Sequence, residues 1–262
     1  QKAQLVSEAL LIKLQTGELD KYAQADNSVF EKEVLLPLGI RKDSGLSYEK
    51  IKSAYDTAFE KNKMGQALTY AMPGPRMVFQ GDEHLDITPF RFAREFESIP
   101  VEDYIYNEKG YYPDKEAYND SKLGKNYPRY SKKMAQAELL TSDLNGIKAT
   151  NPALTRGKYR KASTIEHNDS RVFALHAKDD ESQNEIFKIV NTQNLCYPRE
   201  DVDFYYIKFP EGEWEEILNT DDKKYGGFGD TNKSIVKADG QNDVPIKLGR
   251  KAVIFFRKIP QE

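Results

Sequence analysis

The chain is 262 residues long, with 39 Lys and Arg set against 42 Asp and Glu for a net charge of -3. So even a balance gives no basis for a nucleic-acid or anionic-membrane partner. Hydrophobic content is 39%, below the usual globular range, but sixteen Tyr and thirteen Phe can build a core, in one large domain or two smaller ones. A single cysteine, Cys196, excludes an internal disulfide and a cysteine-built zinc site. No apolar run approaches a membrane span and no signal peptide is visible, so a soluble protein, cytoplasmic or secreted, is expected. The chain opens on Gln1, as expected of a processed or excised piece.

Residues 1–15 read as an amphipathic helix, with Leu5, Ala9 or Leu10, Ile12 and Leu14 on its apolar face and Gly17 as a stop. Residues 20–28 are polar. The run 34–38 is apolar but broken by Pro37, which leaves its form open. Ser47 is a reasonable N-cap for a second helix. There Tyr48, Ile51, Ala54, Tyr55, Ala58 and Phe59 recur at three- and four-residue steps and read as packing residues. Residues 66–72 are again helical in composition, and Pro73-Gly74-Pro75 ends them, since neither proline can donate a backbone hydrogen bond. Residues 76–80 follow as a short apolar strand around Met77, Val78 and Phe79, without alternation, as in a strand covered on both faces. Gly81-Asp82-Glu83-His84 then sets acids and an imidazole past the strand's C-terminal end, where parallel α/β folds build their sites.

The connection 87–126 is rich in Tyr and charge and weak in period, with Phe90, Phe92 and Phe96 to pin it down. Residues 130–149 read as a helix with Met134, Ala137, Leu140 or Thr141, Leu144 and Ile147 on one face and Lys132, Lys133 and Glu138 toward solvent. Asn151-Pro152 ends it. Beyond Leu154 the period becomes two. Residues 158–166, 171–177, 185–191, 204–209, 214–218, 234–236, 244–248 and 251–257 read as strands separated by turn-forming clusters. Short strands at this spacing predict an antiparallel β-sandwich.

The stretch 67–83 resembles the eighth strand of the α-amylase family, glycoside hydrolase family 13, where a helix leads through a Pro-Gly-x-Pro-like turn into an apolar strand and a Gly-x-Glu. The resemblance continues through residues 89–96, Asn151-Pro-Ala-Leu154 and Arg171-Val-Phe-Ala-Leu-His176. It implies an α/β portion followed by an all-β one: the last part of a (β/α)8 barrel over 1–150, then a C-terminal antiparallel β-sandwich over 151–262. It also implies an α-glucan or maltooligosaccharide as ligand and the remainder of a catalytic barrel as partner. The family's catalytic Asp, Glu and second Asp all precede the matched region. None of the three histidines, His84, His167 and His176, sits in the family's Asn-His-Asp-like motif. The piece is therefore expected to lack the catalytic carboxylates and to be inactive alone. A barrel cut after its seventh strand would also leave strand edges bare and lower the chain's solubility.

Asp82 and Glu83 are adjacent and point different ways on a strand end, so they do not make a retaining pair about 5–5.5 Å apart. By the resemblance Glu83 is structural or near the substrate. His84 and Asp86 are candidates to hydrogen-bond a sugar hydroxyl, and Tyr111 and Tyr112, with Tyr104 and Tyr106, to stack on glucose rings. The alternative is that the acids cap the turn and tie it to Arg91 or Arg94 while the tyrosines pack the loop down. Tyr225-Gly-Gly-Phe-Gly-Asp230 lacks the Lys-Ser/Thr of a phosphate loop. With Leu218-Asn-Thr-Asp221 it resembles a hairpin of branching-type relatives that packs back on the barrel, with Tyr225 or Phe228 as a candidate glucan contact. Trp214 reads as core. No metal loop pattern is present, and no cofactor is implied. Two functional readings stand beside each other: the C-terminal piece of an α-glucan hydrolase or transglycosylase, or a non-catalytic glucan-binding or interaction module. A third, an unrelated α+β protein, makes the barrel likeness accidental.

Overall fold

A computed structural model describes residues 10, 13–14, 18–41, 44–76, 132–160, 171–200 and 202–260. They fall into two compact units, one drawn from 1–56 and 84–135, the other from 57–83 and 136–262.

The first unit is a small helical cluster. A 3-10 turn at Asp20–Tyr22 precedes helix α1 (Asn27–Phe30), whose N-cap Asp26 accepts the Ser28 amide at 2.8 Å. The chain continues as a π-helical turn over Glu31–Leu35, which settles the run that Pro37 left open. Leu19, Phe30, Val34, Leu35 and Tyr48 form the core, with Leu10 and Leu14 packed against it. Leu10, Lys13 and Leu14 are helical, as the amphipathic pattern predicts; the rest of 1–15 lies outside the described residues. Tyr22 and Phe30 meet edge to face at 5.4 Å, and Phe30 and Tyr48 at 6.2 Å.

Helix α2 (Tyr48–Ala71) is one continuous helix where the sequence suggests two stretches. Ser47 Oγ accepts the Lys50 amide at 3.3 Å, as an N-cap should. Tyr48 and Phe59 are buried as expected, whereas Ala54 and Ala58 are exposed, so the packing stripe is narrower than the residue spacing implies. Helix α3 (Lys132–Thr150) buries Ala137, Leu140 and Leu144. Lys133 is ion-paired with Asp56 at 2.7 Å rather than free in solvent.

The second unit is built on a six-stranded antiparallel sheet. Its strands are β1 (Lys158–Arg160), β2 (Val172–Lys178), β3 (Glu185–Asn191), β5 (Gly212–Asn219), β6 (Val236–Ala238) and β8 (Val253–Lys258), in the order β1-β2-β3-β8-β5-β6. Strands β4 (Tyr205–Lys208) and β7 (Asp243–Ile246) form a separate antiparallel pair. The large sheet is covered on both faces. Along β8, Val253 and Phe255 pack with Ala67, Tyr70, Leu140 and Leu144 of the helices. Ile254 and Phe256 pack with Tyr205, Ile207 and Ile246 of the β4–β7 pair. This double cover explains why β3 is buried at all seven positions and shows no polar alternation. The strands of the predicted sandwich are thus present, and the layer of helices is the addition. Trp214 is fully buried, with its indole N–H on the Pro210 carbonyl at 2.8 Å.

Candidate functional site

The candidate residues Glu83, His84, Asp86, Tyr111 and Tyr112, and also Tyr104 and Tyr106, lie outside the described residues. The turn leading toward them is described as far as Arg76. The last carbonyls of any α-helix lack intrahelical partners and carry its negative dipole end. At the end of α2, cations meet them. Lys188 Nζ donates to the Ala71 carbonyl at 3.0 Å, and Lys148 Nζ to that of Met72 at 2.9 Å. The Gly74 amide bonds the Thr155 carbonyl at 2.9 Å. Arg76 lies 3.6 Å over the Tyr70 ring, and both side chains donate to Asn145 Oδ1, at 3.0 and 3.1 Å. Lys188 is fully buried in β3, and that burial, with repulsion from Lys148, holds its ammonium down to about 7. A lysine in a strand reads as solvent-facing, and no sequence signal marked this one.

The glycine-rich segment after β5 is the second site. Asp221 organises it. Its carboxylate accepts the amides of Phe228 at 3.2 Å and Asp230 at 3.0 Å, and its own amide donates to Asn219 Oδ1 at 2.9 Å. A Cβ at Gly227 would lie 2.0 Å from the Asp221 carbonyl oxygen, so only glycine allows this approach. Amides that a phosphate loop would offer to an anion are thus occupied by the loop's own acid. Burial raises the Asp221 carboxyl above its ordinary pKa while the two amides oppose that rise.

Tyr225 and Phe228, equivalent candidates in sequence, separate here. Tyr225 is 1% exposed and donates its hydroxyl to Asp143 of α3, which leaves no ring face for a sugar. Its hydroxyl pKa is pushed up by burial and then by Asp143. The segment packs on α3, and Lys224 adds an ion pair to Asp143 at 2.8 Å. Phe228 is 59% exposed. The Arg250 guanidinium sits 4.4 Å from its ring centre and forks onto Glu60 of α2 at 2.7 and 3.1 Å. A cation over an exposed ring is worth about 0.5–1 kcal/mol, enough to bias the ring's position.

The remaining polar clusters are structural. Glu185 accepts from His176 at 2.9 Å and from Lys178 at 3.1 Å beside the Trp214 core. Burial lowers the His176 pKa against the pull of Glu185. An open groove of about 520 Å³ runs along β5, β6 and β7. Its Glu213 is paired with Lys237 at 2.7 Å, and Asp239 closes its own turn onto the amides of Gln241 and Asn242. Among the described residues, no group of three or more His, Cys, Asp or Glu is placed to hold a metal ion. Among them, too, no helix is long and apolar enough to cross a membrane.

Residues 163–258 match the family model of the alpha amylase C-terminal all-beta domain. Over that stretch the chain is similar to the C-terminal all-beta domain of alpha amylases. Curated proteins supply no match. Among solved structures, this chain is similar to the trehalulose synthase MutB from Pseudomonas mesoacidophila MX-45, at 16% identity and a TM-score of 0.43, over 76% of this chain and 38% of that one. It is also similar to Amy13B of Eubacterium rectale, at 16% identity and a TM-score of 0.41, over 79% and 36%. An isomaltulose synthase from Erwinia rhapontici NX5, in complex with its natural substrate sucrose, aligns at 15% identity and a TM-score of 0.43, over 77% and 38%. The chain thus spans 36–38% of the length of these structures.

Proposed function

We propose that this is the C-terminal part of a glycoside hydrolase or transglycosylase acting on α-glucans such as starch, glycogen or maltooligosaccharides. Residues 1–150 would supply the last portion of a (β/α)8 barrel and 151–262 the terminal β-sandwich. The catalytic carboxylates would lie on the rest of that barrel, the partner this chain requires. The observation that carries the reading is the seating of the α2 exit. Helices α2 and α3 pack on the sheet whose strands belong to the stretch matched by the alpha amylase C-terminal all-beta domain. Glu83, His84 and Asp86, with Tyr111 and Tyr112, would line the glucan near that exit.

The test pairs an assay with a titration. The purified chain should release no reducing sugar from starch or maltooligosaccharides, yet bind maltoheptaose. Tyr111→Ala with Tyr112→Ala should weaken binding about tenfold, the loss of one well-stacked contact. Turnover by the chain alone would show that the carboxylates are present after all. Absence of binding to any α-glucan would remove the substrate class.

The alternative, a non-catalytic glucan-binding module, draws on the exposed Phe228 and on the second unit's complete double-faced core. An Asn-His-Asp-like motif upstream of residue 1 in the native gene product favours the enzyme. A start codon there favours the module.

A further inference from the structure

We propose that Phe228 is a sugar-stacking platform, an outlying non-catalytic subsite for one hexopyranose ring of a neutral glucan chain, with Arg250 and Glu60 as its polar edge. Among the described residues Phe228 is the most exposed of the large hydrophobic side chains, at 59%. Exposure alone would be unremarked on a protein surface. The contrast is with what holds the ring. Its amide is bound by the buried Asp221, the glycine before it is wedged against Asp221, and Arg250 covers one ring face. Arg250 is itself forked onto Glu60, whose side chain is 12% exposed. An aromatic ring ordered before the ligand arrives loses little further freedom on binding. With Arg250 in place, Phe228 still leaves more than half of its area to solvent.

The chemistry around the ring narrows the ligand. An anion finds no free amides, because Asp221 holds those of Phe228 and Asp230. A cation meets Arg250 already over the ring. A neutral polyhydroxylated ligand suits what remains. Its C–H-bearing face is apolar and covers the open ring, while its hydroxyls reach charged hydrogen-bonding groups at the ring edge. Glu60 Oε1 takes both Arg250 bonds and holds the guanidinium in place, and the Arg250 side chain, 38% exposed, is the donor at the ring edge. The choice of glucose as the sugar rests on the proposed function; the platform geometry does not.

The experiment uses the full chain carrying Tyr111→Ala and Tyr112→Ala, so that the other candidate contact is removed. Maltoheptaose is titrated by calorimetry, and ring signals of the phenylalanines are followed by NMR. Residual binding is expected in that background. Phe228→Ala should weaken it about tenfold without lowering Tm, and Phe228→Trp should preserve it. Equal binding with and without Phe228→Ala overturns the proposal, as does a background that binds no maltoheptaose. A change in self-association with unchanged sugar binding also overturns it, in favour of a protein contact. If wild-type binding ignores the tyrosine pair but is lost with Phe228→Ala, this platform stands and the substrate contacts assigned under the proposed function fall.

Discussion

A carboxylate folded into its own loop explains more of the glycine-rich segment than any of its glycines. Asp221 draws the Phe228 and Asp230 amides inward, and a Cβ at Gly249 would come within 2.4 Å of its Cγ. The same chemistry recurs at Asp179, in the turn between β2 and β3. There the carboxylate accepts the Ser182 hydroxyl, a two-pronged bond from Arg156 at 3.1 and 3.2 Å, and the Ser182 amide at 3.0 Å. Those bonds, Ser182 first, lower its pKa from 3.8 to about 2. A carboxyl held below its unfolded value stabilises the fold above that value. The contribution is complete above pH 3.8 and is lost as pH falls through about 2. Asp179→Asn should therefore melt below the wild type at neutral pH, with the gap closing as urea midpoints are taken from pH 5 down toward 2. A gap that stays constant over that range would show that ionisation is not what Asp179 contributes. At this scale little was legible beforehand. Tyr225 and Phe228 look alike in sequence, and what separates them is the left-handed Gly226 between them, with φ of 73°. That conformation turns one ring into the core and the next toward solvent.

Elements were far more legible, because their signals are repeated. The strand periods beyond residue 170 survive as β2 through β8, and Pro73-Gly74-Pro75 does end α2 at Ala71. The errors have physical causes. β3 lacks alternation because helices cover one face and β4–β7 the other, a fact of packing that a local window does not contain. α2 runs through Gly65 because a mid-helix glycine weakens a helix by only about 1 kcal/mol, which packing overrides. Gly65 inside α2 and Gly74 beyond its end offer a paired measurement. A Cβ at Gly65 meets nothing within 4 Å, so Gly65→Ala should raise stability by about 0.5–1 kcal/mol. Gly74 is equally open, but its φ is 101°, so Gly74→Ala should lower stability by about 1–3 kcal/mol through backbone strain alone. Thermal melts of both variants decide it. The same sign for both would mean that space, not conformation, governs the two positions.

At the scale of the second unit, one sheet serves two cores. Strand β8 sends Val253 and Phe255 to the helical side, and Ile254 and Phe256 to the β4–β7 side. Both cores need the shared six-stranded sheet, so the two should be lost together. Trp214, the only tryptophan, is buried on the β4–β7 side among Phe187, Phe209 and Phe256 and reports that side directly. Phe256→Ala, which empties space in that same core, should cost about 3–5 kcal/mol. Leu140→Ala sits on the opposite face, in α3, and should cost about 2–5 kcal/mol. If the sheet couples the faces, both substitutions lower the urea midpoint seen by Trp214 fluorescence, and far-UV circular dichroism of the strands moves with it. If Leu140→Ala leaves the Trp214 midpoint where it was, the helical layer unfolds separately. In that event the α2 exit would not be held by the sandwich, and the seating on which the proposed function rests would lose its support.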